Sequence, residues 1–91
     1  MHIVRYVPPS IQGLKNQKDR LGFTGEQMAK MYGLAGNSQW RKYTGGSAPR
    51  TMSLPMLFLA GALMNQSATV AEVMDWCRRE TGAVIEINSQ D

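Results

Sequence analysis

The chain has 91 residues, a length that limits it to one small domain. Its formal net charge at pH 7 is +3. Its 43% hydrophobic and 19% charged residues are typical of a folded protein and exclude a disordered tail. A chain this short can bury a small core but leaves little volume for a roomy catalytic cleft.

The charge is distributed unevenly along the chain. Residues 1–50 carry eight Lys or Arg and two Asp or Glu, a net +6, whereas residues 51–91 carry two and five, a net −3. A basic half of this kind is typical of proteins that bind a polyanion. The charge alone would suit RNA or anionic lipid almost as well as DNA.

The N-terminal segment predicts a strand followed by a helix. Residues 2–7 are rich in β-branched and aromatic side chains, and Pro8 ends the predicted strand. Ser10 is placed to cap a helix over residues 11–21. One side of this helix is sparsely apolar and the other is cationic: Ile11, Leu14 and Leu21 against Lys15, Lys18 and Arg20.

The stretch 24–46 predicts two short helices joined by a tight turn. Thr24 and Gln27 have the spacing of a capping box, and an apolar stripe at helical spacing follows them. Gly33 ends the first helix, because glycine adopts a left-handed backbone at little cost. Asn37 or Ser38 can cap the second helix, which runs to about residue 44. Two helices joined in this way predict a helix-turn-helix.

The second helix of this pair has two chemically different sides. Trp40 and Tyr43 fall on one side at 100° per residue. The other side suits a DNA major groove, because Arg can bond bidentately to guanine, Gln to adenine, and Lys to guanine or a phosphate. The alternative is an ordinary amphipathic helix with a solvated basic face. The polar side comprises Ser38, Arg41, Lys42 and Gly45, with Gln39 on its flank.

In this segment the chain resembles the Cro/repressor-type (Xre-like) helix-turn-helix family of phage and bacterial regulators. The family pattern has a Thr or Ser cap, an Ala in the first helix, a Gly at the turn, and a Trp in the second helix. The chain differs at Gly25, where the family often has a phosphate-contacting Gln, at Thr44, which replaces a common Glu, and in a turn one residue longer. The matching residues are Thr24, Met28-Ala29, Gly33-Leu34, Trp40, Tyr43 and Gly46.

The resemblance implies a mainly α fold, namely a five-helix lambda-repressor-like domain over residues 1–91, here with short terminal strands. It also implies that the helix ending near residue 44 reads bases and that the helix over residues 11–21 lies near the DNA backbone. The loop after residue 46 is expected to lie close to DNA. For Lys15 and Lys18, a solvated face is the alternative to phosphate contact. Ser47 would make a weak contact. The DNA-binding residues expected on this basis are Asn37, Ser38, Gln39, Arg41, Lys42, Thr44, Arg50, Lys15 and Lys18.

Residues 54–64 are the most apolar stretch and predict a core helix. Ser53 is placed to cap it, and Pro55 lies in its first turn, where a missing N–H does no harm. The stretch is well short of the ~20 residues that span a bilayer. Five residues at helical spacing are expected to support the DNA-reading helix from inside: Leu54, Leu57, Phe58, Gly61 and Met64.

A fifth helix is expected over residues 69–81. Thr69 and Glu72 have the spacing of a second capping box, and Gly82 ends the helix. Residues 83–87 then predict a second strand. The expected buried stripe of this helix is Val70, Val73, Met74 and Cys77, with Trp76 beside it.

The two terminal strands are expected to pair with each other. A lone two-stranded ribbon is only marginally stable, so it must pack on the helices or join a second copy. We therefore expect a homodimer that forms through residues 69–88, residues 2–7, or both. Two DNA-reading helices ~34 Å apart could then read a palindromic operator in successive major grooves.

Catalysis and the binding of metals, cofactors or small molecules are not expected. His2 is the sole histidine and lies at the terminus, so neither a Ser–His nor a Cys–His pair is easily assembled. No Cys/His set has zinc spacing, and no phosphate-binding glycine loop is present. The single cysteine, Cys77, is expected to be a buried inert thiol in a cytoplasmic protein.

Together these patterns predict a small dimeric DNA-binding regulator, a repressor or autoregulator. The alternative is a phage-encoded or antitoxin-like module that inhibits a partner protein. Seven methionines would suit the adaptable contact surface of such a module. The more ordinary interpretation places five of them in or beside the core: Met28, Met31, Met56, Met64 and Met74.

Overall fold

The computed structural model describes residues 2–88, which form five helices and a two-stranded antiparallel sheet. The protein is mainly helical with strands at its termini, which confirms the predicted fold class at this level. The elements in chain order are β1 (His2–Val7), α1 (Ile11–Leu21), α2 (Gly25–Met31), α3 (Asn37–Thr44), α4 (Leu54–Met64), α5 (Val70–Thr81) and β2 (Val84–Asn88).

The terminal strands pair with each other, as predicted, although β2 begins one residue later than expected. Tyr6 lies opposite Ile85 in the antiparallel register. The Tyr6 hydroxyl donates a hydrogen bond to the Met52 carbonyl at 2.8 Å, and the Arg78 guanidinium donates to the Ile85 carbonyl at 2.6 Å. These side chains attach the ribbon to the helical body, which a two-stranded sheet requires for stability.

Helix α1 lies against α5 at a point of close backbone approach. A Cβ placed on Gly13 would lie 2.3 Å from the Thr81 carbonyl oxygen, so a larger residue would force a backbone shift. The Arg20 side chain donates to the Glu80 carboxylate at 3.2 Å and also to the Glu80 carbonyl. Ser10 caps α1, as predicted, by accepting from the Gly13 N–H at 3.0 Å.

Helix α4 packs against α5, and its Leu57 lies in the same buried core cluster as Trp40 of α3. Gly61 permits the close contact, since a Cβ there would lie 2.8 Å from Val73 Cγ1 and 3.0 Å from Cys77 Sγ. The buried Cys77 thiol donates a weak hydrogen bond to the Leu57 carbonyl at 3.6 Å. Cys77 is therefore buried in the core, as predicted.

Three residues that were predicted to be buried are exposed. Ile11 begins α1, Met64 ends α4, and Val70 begins α5. Helical spacing identifies the side of a helix that faces the core, but the end of a helix can extend past the neighbour that covers its middle. Of the other methionines expected in the core, Met28, Met31 and Met74 are buried and Met56 is half-buried.

Both predicted capping boxes are present. Thr24 accepts from the Gln27 N–H, and Thr69 accepts from the Glu72 N–H, each at 3.2 Å. In return, the Gln27 and Glu72 side chains accept from the Thr24 and Thr69 amides. These reciprocal bonds satisfy donors that the first turn of each helix would otherwise leave free.

No helix within residues 2–88 is long and apolar enough to cross a membrane. The same part of the chain contains no group of three or more His, Cys, Asp or Glu side chains that could hold a metal ion.

We expect the fold to lose stability in alkali. Desolvation raises the pKa of Cys77 to about 11 and that of Tyr6 to about 12, and it raises the pKa of Tyr32 further. The unfolded chain therefore loses these protons first, so the free energy of unfolding falls as the pH rises from about 9 towards 12. Urea midpoints at pH 8 and pH 11 measure the effect. Equal midpoints at the two pH values would contradict it.

Candidate nucleic-acid interface

Helices α2 and α3 are joined by a tight turn, as the pattern over residues 24–46 predicted. Tyr32 is the C-terminal cap of α2, and Gly33 follows it with a left-handed φ of 71°. The Leu34 N–H donates back to the Ala29 carbonyl at 2.8 Å, which holds the turn against the end of α2. The two helices pack on each other, and we call them the α2–α3 unit.

The N-terminus of α3 is capped differently from the prediction. Gly36, not Asn37 or Ser38, is the N-cap residue, and it makes no side-chain cap. The Glu26 carboxylate instead accepts a hydrogen bond from the Asn37 N–H at 2.9 Å. A negative charge at a helix N-terminus is favourable, so α2 supplies the cap of α3.

Trp40 fixes one side of α3 to the core, as predicted. Its ring is 2% exposed and stacks on the Tyr32 ring at a centroid distance of 5.5 Å. The Tyr32 hydroxyl donates to Gln17 Oε1 at 2.5 Å, so a buried chain of contacts joins α1 to α3. Tyr43 is half-buried and packs against the same core.

Gln17 was not among the core residues predicted from the sequence, although it is fully buried. The sequence does contain a signal for its burial, because Gln17 lies between Leu14 and Leu21 at helical spacing, on the apolar side of α1. A polar residue on that side is buried when it has a hydrogen-bond partner, and the Tyr32 hydroxyl provides one.

The opposite side of α3 borders an open groove of about 720 Å³. Ser38, Arg41 and Lys42 are exposed along it, and the loop after α3 forms its other wall. Five of the nine predicted DNA-binding residues line this groove: Ser38, Arg41, Lys42, Thr44 and Arg50.

The loop after α3 folds back onto the end of that helix. The Arg50 N–H donates to the Lys42 carbonyl at 2.7 Å, which places Arg50 beside the C-terminal turn of α3. Ser47, the weaker predicted contact, also lines the groove. The hydrogen bond spans eight positions of the chain, so local sequence patterns gave no sign of it.

The other four predicted residues do not line the groove. Asn37 and Gln39 are half-buried, and a Cβ placed on Gly25 would lie 1.9 Å from Asn37 Oδ1. This close approach is a structural reason for glycine at position 25. On α1, Lys15 is exposed and Lys18 is half-buried.

The charged side chains that line the groove are all positive. Its lining residues include no Asp or Glu, and within residues 2–88 neither Arg41, Lys42 nor Arg50 makes an ion pair. Arg20, on the cationic side of α1, is paired with Glu80. The free cations near α3 are therefore available to an anionic partner, whereas Arg20 stabilises the contact between α1 and α5.

Comparisons of this chain with protein-family models, with curated proteins and with solved structures gave no match.

Proposed function

We propose that the protein binds double-stranded DNA through α3 and the loop that follows it. In this proposal the α2–α3 unit is a helix-turn-helix of the Cro/repressor type, α3 is its recognition helix, and the whole is a lambda-repressor-like domain. The protein acts in the cytoplasm as a transcriptional repressor or autoregulator, without catalysis and without a cofactor. The observation that supports this most is a groove with three cations and no carboxylate.

The chemistry of the groove suits DNA better than a generic anion. The Arg41 guanidinium on an exposed helix side can bond bidentately to guanine, and Ser38 can bond to a base edge. Lys42 and Arg50, near the end of α3, are placed for phosphate contacts that orient the helix. Because Trp40 holds the other side of α3 in the core, the helix can enter a groove without losing its shape.

The proposal includes a homodimer. A single α3 of eight residues makes few base contacts, so two copies are needed for a site long enough to be selective. Two such helices one DNA turn apart would read a palindromic operator.

Binding to the DNA upstream of the protein's own gene tests the proposal. We expect affinity for that DNA to fall steeply between 50 and 200 mM salt, because bound phosphates release counterions. We also expect a preference over a random duplex of equal length that persists across the salt range. Affinity that depends on neither salt nor sequence would contradict the proposal.

Arg41→Ala is expected to weaken specific binding by about 1–3 kcal/mol and to relax selectivity at one base pair, because it removes a bidentate guanine contact. Binding measurements on the operator and on single-base variants test this. Lys30→Ala is the matched control, since Lys30 is an exposed cation on α2 that does not line the groove. An equal loss on specific and random DNA would make Arg41 a phosphate contact instead.

Glu26→Gln is expected to strengthen binding to any duplex by about 2–5-fold, because it removes a negative charge from the N-terminus of the recognition helix. The amide oxygen can still accept from the Asn37 N–H, so the cap is kept. Glu72→Gln is the matched control, since the Glu72 carboxylate also accepts from a backbone N–H at a helix N-terminus, that of Thr69 at the start of α5. A loss on the operator alone would show that Glu26 contacts a base.

The competing function is a protein-binding module of the phage-encoded or antitoxin-like kind that inhibits a partner. One observation favours it, namely the exposed apolar side chains of Leu59, Leu63 and Met64. The salt titration separates the two functions, because a module that binds only proteins would show no preference for any duplex.

A further inference from the structure

Helix α4 is apolar on all sides but is buried on one side only. Its sequence, LPMLFLAGALM, contains no charged or hydrogen-bonding side chain. The inner side, formed by Leu57, Ala60 and Gly61, is buried. A helix that is apolar all round is normally covered all round, whereas the outer side chains of Leu59 and Leu63 stay largely exposed within residues 2–88.

The outer side has the spacing of a helix–helix seam. Met56, Leu59 and Leu63 follow one another at intervals of three and four residues, the spacing of the contact positions in paired helices. Leu59 is 46% exposed and Leu63 is 47% exposed, whereas Met56 is half-buried. We call these three residues the α4 seam. Met64 and Val70, both exposed, are further apolar side chains at the end of α4 and the start of α5.

The charge pattern around the α4 seam indicates what covers it. No Asp, Glu, Lys, Arg or His occurs from Thr51 to Ala71, although the chain carries ten Lys or Arg and seven Asp or Glu elsewhere. A two-fold axis places a surface against a copy of itself, so charged residues on that surface would tend to meet like charges. A stretch without charges avoids this repulsion. It also offers nothing to a nucleic acid or to an anionic lipid surface.

The alternative dimer surfaces are more polar. The outer side of α5 carries Glu72, Asp75 and Arg79, all exposed. β1 carries the exposed Arg5–Glu86 ion pair on the ribbon. The α4 seam therefore carries no charged residue, unlike both of the segments predicted for dimerisation from the sequence.

We propose that two copies of the chain associate through the α4 seam, with the two α4 helices crossing at a two-fold axis. Leu59 and Leu63 of one copy pack against the same residues of the other. This assignment does not depend on DNA binding, because it concerns the oligomeric state of the free protein.

Sedimentation equilibrium of the full chain, without DNA, tests the assignment. We expect the wild-type protein to be a reversible dimer and Leu59→Glu to raise its dissociation constant by more than about tenfold, because the charge would be desolvated at the axis. Val4→Glu is the matched control, since Val4 is 53% exposed on β1 and lies outside the seam. It should dimerise like the wild type.

Circular dichroism establishes that each variant is folded. If Leu59→Glu unfolds, the double variant Leu59→Ala with Leu63→Ala adds no charge and favours helix, and it should weaken the dimer in the same direction. A wild-type monomer at high concentration would overturn the assignment. Dissociation by Val4→Glu, or a dimer unchanged by both seam variants, would also overturn it. A seam dimer that ignores DNA would leave the assignment intact and contradict only the proposed function.

Discussion

Trp40→Ala is expected to lower the free energy of unfolding by about 3–5 kcal/mol, the range for removing a large aromatic side chain from a core. Trp40 is 2% exposed and stacks on Tyr32, which is itself 2% exposed and bonded to Gln17. The substitution leaves a cavity at the junction of α1, α2 and α3. Small domains have about 5–15 kcal/mol of stability in total, so the loss is a large part of it. Urea unfolding followed by circular dichroism measures the effect.

Trp40→Phe is the control for this result. Phenylalanine keeps an aromatic ring against Tyr32 and leaves a smaller cavity, so its cost should be clearly lower than that of alanine. A change of less than about 1 kcal/mol for Trp40→Ala would mean that the ring is not part of the core. In that case α3 would not be held in the orientation that the proposed DNA contacts require.

Gly13→Ala is expected to lower the free energy of unfolding by about 1–3 kcal/mol, the usual cost of forcing extra volume into a packed contact. In an open helix the same change would stabilise by about 0.5–1 kcal/mol, because alanine restricts the unfolded chain more than glycine. Here the new Cβ would lie 2.3 Å from the Thr81 carbonyl oxygen, a backbone atom. Helices α1 and α5 would have to move apart, so the clash outweighs the gain in helix propensity. Thermal unfolding provides the measurement.

Gly25→Ala is the matched control for that experiment. Position 25 is also a helical glycine with a close neighbour, but the neighbour is the end of the Asn37 side chain, 1.9 Å from the new Cβ. A side chain can rotate away more easily than a backbone carbonyl, so Gly25→Ala should cost less than Gly13→Ala. A higher melting temperature for Gly13→Ala would show that α1 and α5 are not in such close contact.

The two proposals concern different parts of the molecule. The groove beside α3 carries free cations and no carboxylate, which favours an anionic partner. The α4 seam carries no charge, which favours a second copy of the chain. A small regulator of palindromic DNA needs both kinds of surface, so the two sets of variants can be combined. Seam variants that dissociate the dimer should also weaken operator binding, whereas Arg41→Ala should leave the dimer intact.

The sequence by itself determined the elements whose signals lie within a few residues. Thr24 and Thr69 form the predicted capping boxes, and Gly82 ends α5 with a φ of 72°. The side of α3 that carries Trp40 was also predictable, because helical periodicity places Trp40 and Tyr43 on the same side of the helix. These features depend on hydrogen bonds and spacing inside a single helix, so no knowledge of the neighbours was needed.

Only the tertiary structure decided the features that join residues far apart in the chain. Glu26 of α2 caps α3, and the Arg50 N–H donates a hydrogen bond to the Lys42 carbonyl. Gln17 is buried where its side chain accepts a hydrogen bond from the Tyr32 hydroxyl. The exposure of Ile11, Met64 and Val70 likewise depends on where a neighbouring helix stops, which periodicity does not encode. A local pattern specifies which side of a helix is apolar, whereas the packing of other elements determines whether that side is covered and which cations remain free.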